Sequence, residues 1–167
     1  MTDRKLMDLA KFAAHTALKA GAKDARTTVS RSREVVVEWR DGKLDRIREH
    51  TRMAMGLSLY VDGRYSSHST SDLRPEALSR FVEQTIAMTR HLAKDPHRKL
   101  PDPERYQGMF QGDLQNYDAA ALAGSDPVRR RQEAKALEDA TRAAWAAKNI
   151  VSVTGTVGES RSENAMA

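Results

Sequence analysis

Ser66, Ser67, Ser69 and Ser71 crowd around His68, the place in the sequence where nucleophile and base types stand closest together. A serine hydrolase needs a nucleophile, a base and an orienting carboxylate held in separate elements. Here the candidates share one short polar run, and a serine-rich edge strand explains the same letters without chemistry. Metal chemistry is no easier to assemble. The absence of cysteine excludes disulfides, thiolate metal sites and cysteine nucleophiles. The five histidines are followed by Thr16, Thr51, Ser69, Leu92 and Arg98, never by glutamate, and no two lie three to five residues apart. A catalytic zinc takes about three protein ligands, commonly beginning with two histidines on one helix face. His15, in a helix with no second ligand at metal spacing, reads as a surface or boundary histidine. No catalytic and no metal residue is therefore expected in this chain.

The elements that would position any other site come from periodicity. Met55, Leu57, Leu59 and Val61 fall on one face of an extended chain, with Ser58 and Tyr60 on the other. Asp62-Gly63 supplies a type I′ turn, and Arg64 to Thr70 returns as a polar strand. Ser71 and Asp72 offer capping oxygens, and Pro75 opens a helix running to Ala93 that buries Leu78, Phe81, Val82, Ile86 and Leu92. Upstream, Asp3 to Ala20 predicts an amphipathic helix with Leu6, Leu9, Ala10, Ala13, Ala17 and Ala20 on one face and Gly21 as its stop. From Ala25 the period becomes two: Thr27, Val29, Arg31, Arg33, Val35, Val37 and Trp39 share a phase. That run is long for one strand, so Ser30-Arg31-Ser32-Arg33 is expected to divide it by a turn or bulge. Asp41-Gly42 marks a hairpin, Lys43 to Arg52 an exposed or edge strand, and Met53 to Val61 the next strand.

Residues 94 to 126 lack periodicity and read as an arm over the domain surface, stapled by Leu100, Tyr106, Phe110 and Tyr117. Asp126-Pro127 opens a third helix to about Lys148, carrying Leu137 and Trp145, with Asn149 at its end. Ile150 to Val157 is the last strand expected, and 158–167 a disordered truncation tail, as in a fragment of something longer. The fold class expected is α+β: an antiparallel sheet of about four to five strands with three helices mainly on one face, forming a single domain over 1–157.

Composition narrows the partners. A net charge of +5 is a small excess over 28 basic and 23 acidic residues, which interspersed suit a solvated surface. Arg26, Arg31, Arg33, Arg40, Arg46, Arg48 and Arg52 on the first strands, with Arg129-Arg130-Arg131 opening the third helix, allow an alternative: a basic nucleic-acid-binding module, or a stand-alone protein-interaction module. Aromatics make up only 5% of the chain, and none pair within the strands at stacking spacing, which counts against nucleic acid. Neither a signal peptide nor a membrane span is legible, so no membrane partner and a cytoplasmic location are expected.

The motif order carries a resemblance. Asp41-Gly42-Lys43-Leu44, then Gly56-Leu57-Ser58-Leu59-Tyr60-Val61-Asp62-Gly63-Arg64, Ser69-Thr70-Ser71-Asp72-Leu73 and Pro75-Glu76-Ala77-Leu78 resemble the N-terminal domain of the TldD/PmbA metallopeptidases, described as modulators of DNA gyrase. Leu57-Ser58-Leu59 and Ser69 to Leu73 are closer to the PmbA (TldE-like) branch; Pro101-Asp102-Pro103 and the Asp118 segment also fit. The resemblance implies proteolysis of small or unfolded peptides. The zinc would be held by a His-Glu-x-x-x-His stretch in the family's C-terminal domain or in a partner subunit, with no cofactor in this chain. It further implies a homo- or hetero-dimer with a TldD/PmbA-type subunit, in which this non-catalytic domain contributes to assembly and walls the peptide chamber. The strand Arg64 to Thr70 could take up peptide backbone by strand addition, making Arg64, Ser69, Thr70 and Asp72 the candidate peptide or interface contacts.

Overall fold

Two Asp-Gly pairs set the sheet. In the computed structural model, which describes residues 3–108, 112–116, 126–144 and 150–167, Asp41 and Gly42 take φ of 48° and 80°, and Asp62 and Gly63 take 51° and 75°. A type I′ turn needs positive φ at both central residues, which aspartate tolerates and glycine adopts freely. The first turn joins β1 (Asp24–Arg40) to β2 (Lys43–Val61), and the second joins β2 to β3 (Arg64–Thr70). A last strand, β4 (Thr154–Met166), lies beyond β1, giving the order β3-β2-β1-β4. Thr27 and Ala167 exchange backbone hydrogen bonds of 2.7 and 3.0 Å, the closely spaced pair of an antiparallel ladder. Three helices, α1 (Asp3–Lys19), α2 (Pro75–Thr89) and α3 (Pro127–Ala144), complete the described regular elements with a short 3₁₀ turn at Pro103–Tyr106. The expected α+β class holds: four antiparallel strands with helices packed on the sheet.

Strand lengths differ from expectation. β1 passes unbroken through Ser30-Arg31-Ser32-Arg33, and β2 joins the two strands expected over Lys43 to Arg52 and Met53 to Val61. Residues 158–166 continue β4, where a disordered tail was expected. The polar stretches have a different meaning. The chain divides into two compact units, one of Met1–Ser32, Arg52–Gln107 and Ser162–Ala167, the other of Arg33–Thr51 and Gly108–Arg161. Ser30-Arg31-Ser32-Arg33 in β1 and Thr51-Arg52 in β2 fall where the chain passes from one of these residue sets to the other.

In the first unit, Leu6, Ala10 and Ala13 of α1 pack with Val29, Met55, Leu78 and Ala165. Ala17 and Ala22 pack with Leu57, Leu59, Val61, Val82 and Ile86. Alanine at three successive buried positions of α1 lets its backbone approach closely, and the Thr27 hydroxyl exploits this by donating to the Ala10 carbonyl at 2.8 Å. The helix ends where expected. Gly21, at φ 100°, closes a Schellman motif: its amide bonds Leu18 at 3.1 Å and that of Ala22 bonds Ala17 at 3.0 Å. α2 buries Leu78, Val82, Thr85, Ile86 and Thr89, but stops at Thr89 and leaves Leu92 exposed. Phe81 is half-buried and Leu100 lies at the surface boundary, whereas Phe110 and Tyr117 of the expected arm, like the Tyr106 side chain and Asp118, fall outside the described residues.

In the second unit, β1 buries Val35 and Val37, while α3 buries Arg130, Ala134 and Glu138 at a spacing of four. Leu137, carried by this helix as expected, is half exposed; Trp145 and Asn149 lie outside the described residues. The helix start is as expected, with Asp126 Oδ1 accepting from the Val128 amide at 2.9 Å. Glu138 accepts the Gly42 amide on both carboxylate oxygens, at 3.1 and 3.0 Å, and Arg142 Nε at 2.7 Å. Asp41 completes the clasp: the Ser152 hydroxyl at 2.8 Å, the Val153 amide at 3.2 Å and then Arg142 hold its carboxyl below the usual range. α3 is thus tied to the β1–β2 turn by charge and hydrogen bonds.

Candidate functional site

β3 is an outer strand of the sheet, and its register fixes what it offers. It pairs with β2 from Val61↔Arg64 to Met55↔Thr70. Beside a two-residue turn, the flanking pair is hydrogen-bonded, and bonded and non-bonded pairs then alternate. Arg64, Ser66, His68 and Thr70 therefore spend their backbone groups on β2. Tyr65, Ser67 and Ser69 turn theirs outward, and among the described residues no backbone hydrogen bond outside the strand pairing reaches these three. Ser67 and Ser69 are exposed.

The side chains sort by the same period. Ser66 and His68 lie on the face carrying α2, where Ser66 Oγ meets Thr89 Oγ1 at 2.5 Å and His68 meets the Phe81 ring edge-on at 6.5 Å. Tyr65, Ser67 and Ser69 share the opposite face. His68 thus faces away from Ser67 and Ser69, while the Ser66 hydroxyl is buried against a threonine. The serine–histidine run is strand chemistry.

The four candidate contacts are not brought together. Arg64 and Thr70 stand about 20 Å apart along the strand. Arg64 is a clamp, its Nε donating to the Leu92 carbonyl at 2.8 Å and its Nη1 to that of Asp62 at 3.1 Å. Thr70 Oγ1 accepts the Asp72 amide at 3.1 Å, and Asp72 Oδ1 accepts the Arg74 amide at 3.2 Å and Arg74 Nε at 2.9 Å. Thr70 and Asp72 thus shape the turn into α2. The helix N-cap is Arg74, without a side-chain cap bond, so the expected capping by Ser71 or Asp72 is replaced by an Asx-type turn two residues earlier. Of the four, Ser69 alone lies on the open stretch of the edge.

The Arg74 guanidinium, then its amide, lower the Asp72 carboxyl to about 2. A depressed pKa means the turn gains from ionised Asp72 above the unfolded value, near 3.8, and loses that gain as pH falls toward 2. Carboxyl chemical shifts should place the folded midpoint near 2 and return it toward 3.8 in Arg74→Ala. An unchanged midpoint would show that the ion pair does not form in solution.

Sequence reasoning passed over three neighbours. Tyr60 and Tyr65 are register partners with ring centroids 5.1 Å apart, and Arg98 stands 4.7 Å above the Tyr65 ring. The tyrosines were legible from the period-two phase that also carries Ser67 and Ser69. Arg98 was not, because it arrives from the loop after α2, where Asp95 bonds the Gly63 carbonyl at 2.9 Å.

Zinc does not fit here. Among the described residues, no group of three or more histidine, aspartate or glutamate side chains could hold a metal ion. His15 is exposed on α1, and His50 faces Glu34, at 3.4 Å. The arginines suggesting nucleic acid are largely engaged within the chain: Arg33 with Glu49, Arg46 and Arg48 with Glu38, Arg40 with Asp45. Arg129 pairs with Glu133 and Arg130 with Glu159, while Arg131 donates to the Pro127 carbonyl. No helix among the described residues is long and apolar enough to cross a membrane.

Residues 27–89 match the family model described as PmbA/TldA metallopeptidase domain 1. A candidate modulator of DNA gyrase from Bacteroides thetaiotaomicron superposes on 96% of the chain with a TM-score of 0.87 and 35% identity. Residues 27–89 therefore carry the first domain of the TldD/PmbA metallopeptidase family, and the chain as a whole is similar to the N-terminal part of such proteins. The metalloprotease PmbA of Escherichia coli O157:H7 is 27% identical over 101 residues, 60% of this chain and 22% of that protein. The metalloprotease PmbA homolog of Haemophilus influenzae is 28% identical over 120 residues, 72% of this chain and 26% of its own. TldE from Thermococcus kodakarensis shares the fold, with a TM-score of 0.71 at 15% identity over 95% of this chain and 35% of that one. The chain spans about a quarter of these curated relatives and 36% of the Bacteroides chain. The family is one of metallopeptidases, so a metal is implied for it, and the described donors of this chain do not form its site.

Proposed function

We propose that this chain is the non-catalytic N-terminal domain of a TldD/PmbA-type metallopeptidase, acting in proteolysis of small or unfolded peptides. In this reading it joins a TldD/PmbA-type subunit as a homo- or hetero-dimer in the cytoplasm and walls the chamber that peptides enter. Zinc would belong to a C-terminal domain or to the partner subunit, and no step is assigned to a metal here. The observation that carries the reading is the outer edge of β3, where Ser67 and Ser69 present backbone donors and acceptors. An extended chain can add to such an edge through main-chain hydrogen bonds, which accept many sequences. That tolerance suits unfolded substrates.

Amide hydrogen exchange tests it. Added casein, an unfolded polypeptide, should slow exchange at Ser67 and Ser69 while leaving Ser66 and His68, already bonded to β2, unchanged. Uniform exchange at all four positions with and without casein would overturn the strand-addition role.

A further inference from the structure

The face of the first unit that carries the open edge presents two tyrosines and two arginines. Tyr60 and Tyr65 pair here as register partners, and Ser58, which bonds the Tyr65 phenol, is buried although it faces away from the α2 side of the sheet. Arg98 lies over the Tyr65 ring, its side chain 58% exposed and holding one loose carboxylate, Asp95, at 3.7 Å. Arg26 is exposed beside the same tyrosines and, among the described residues, has no carboxylate within 4.0 Å. The Tyr65 pKa is lowered, first by the Ser58 hydroxyl and then by Ser67, Arg98 and Arg26, whereas burial is the main cause that raises Tyr60. Asp24 opposes the two cations at Tyr60.

A strand added beside Ser67 and Ser69 would project alternate side chains onto this face, because strand side chains alternate with period two. The side chain opposite Tyr65 would meet Arg98. A guanidinium stacked on a ring keeps its in-plane donors free for a carboxylate. We infer that the open edge of β3 selects extended peptides that carry an acidic side chain opposite Tyr65. The inference rests on the strand-addition reading above and adds a sequence preference to it.

The test uses the whole chain and end-capped pentapeptides Thr-Val-Xaa-Val-Thr, with Glu, Gln or Lys at the centre, titrated by amide chemical shifts. The Glu peptide should bind about fivefold more tightly than the Gln peptide at low salt, and the Lys peptide more weakly than either. The ratio should fall toward one at about 1 M salt, where the screening length is roughly 3 Å. Arg98→Ala should bring the Glu-to-Gln ratio below about twofold without changing Gln affinity, and Arg98→Lys should recover part of it. Ser67→Pro, which removes one outward amide at an edge position that tolerates proline, should weaken all three peptides together.

The outcomes separate the two ideas. Equal affinity for Glu and Gln in the unsubstituted chain, or a ratio unmoved by Arg98→Ala, overturns the acidic preference, while loss of binding in Ser67→Pro would still sustain strand addition. No binding by any peptide overturns both.

Discussion

Gly155→Ala should destabilise the second unit by about 3 kcal/mol or more, the upper range for overpacking. A Cβ at Gly155 would fall far inside van der Waals contact distance of the Ala134 carbonyl oxygen, with the Ala134 carbonyl carbon at 3.0 Å and the Glu138 amide nitrogen at 3.1 Å. All three are backbone atoms of α3, so no rotamer change relieves the clash. The helix must move away from β4, and the buried Ala134 contact opens with it. Each kcal/mol lowers Tm by about 2–4 °C for a chain of this size, so a thermal melt should drop by roughly 10 °C. The exposed Gly158→Ala, whose Cβ meets nothing within 4 Å, should cost far less. Equal melts for the two variants would show that β4 and α3 are not packed as described.

Glu138→Ala should cost about 3 kcal/mol, toward the lower end for breaking a buried charged network. Glu138 is 1% exposed and accepts both the Gly42 amide and Arg142 Nε. Removing it strands a turn amide and leaves Arg142 with Asp41 alone. Because the Arg142 side chain is 37% exposed, water recovers part of its loss, which keeps the figure below the maximum for a buried pair. Glu138→Gln retains one acceptor of similar shape and should cost about half as much. Urea denaturation with Arg142→Ala as the second arm of a double-mutant cycle should give a coupling of about 1 kcal/mol. A coupling near zero would reduce the clasp to independent contacts.

The first unit was largely legible. Its elements announce themselves through apolar alternation at Met55, Leu57, Leu59 and Val61, through helical spacing at Leu78, Val82 and Ile86, and through the two Asp-Gly turns. The second unit was not, because its order rests on groups that periodicity counts as surface. Arg130 and Glu138 are buried against partners that include Glu159 and the Gly42 amide, which are 29 and 96 residues away in sequence. β4 escaped for a related reason: it buries little besides Gly155 and Ala165, and the backbone ladder to β1 holds it.

At the candidate site, locating the edge strand was the easier part. Arg64 to Thr70 matches β3 residue for residue, and its polar character marks an edge. Assigning roles from residue type was harder. Thr70 and Asp72 turned out to serve the turn into α2, whereas the exposed backbone belongs to Ser67 and Ser69 because of where the hairpin starts its hydrogen-bond count. Arg98 joins them through a loop contact that no local pattern encodes.

Casein hydrolysis by a zinc-loaded TldD-type subunit, measured with and without this chain while light scattering follows complex mass, tests the proposed role most directly. The account predicts no hydrolysis by the chain with zinc alone, a complex whose mass is the sum of the two proteins, and hydrolysis that depends on the subunit's zinc. Chelator-sensitive cleavage by the isolated chain, or no complex of the chain with itself or with the subunit at any concentration at which the proteins remain in solution, would contradict it.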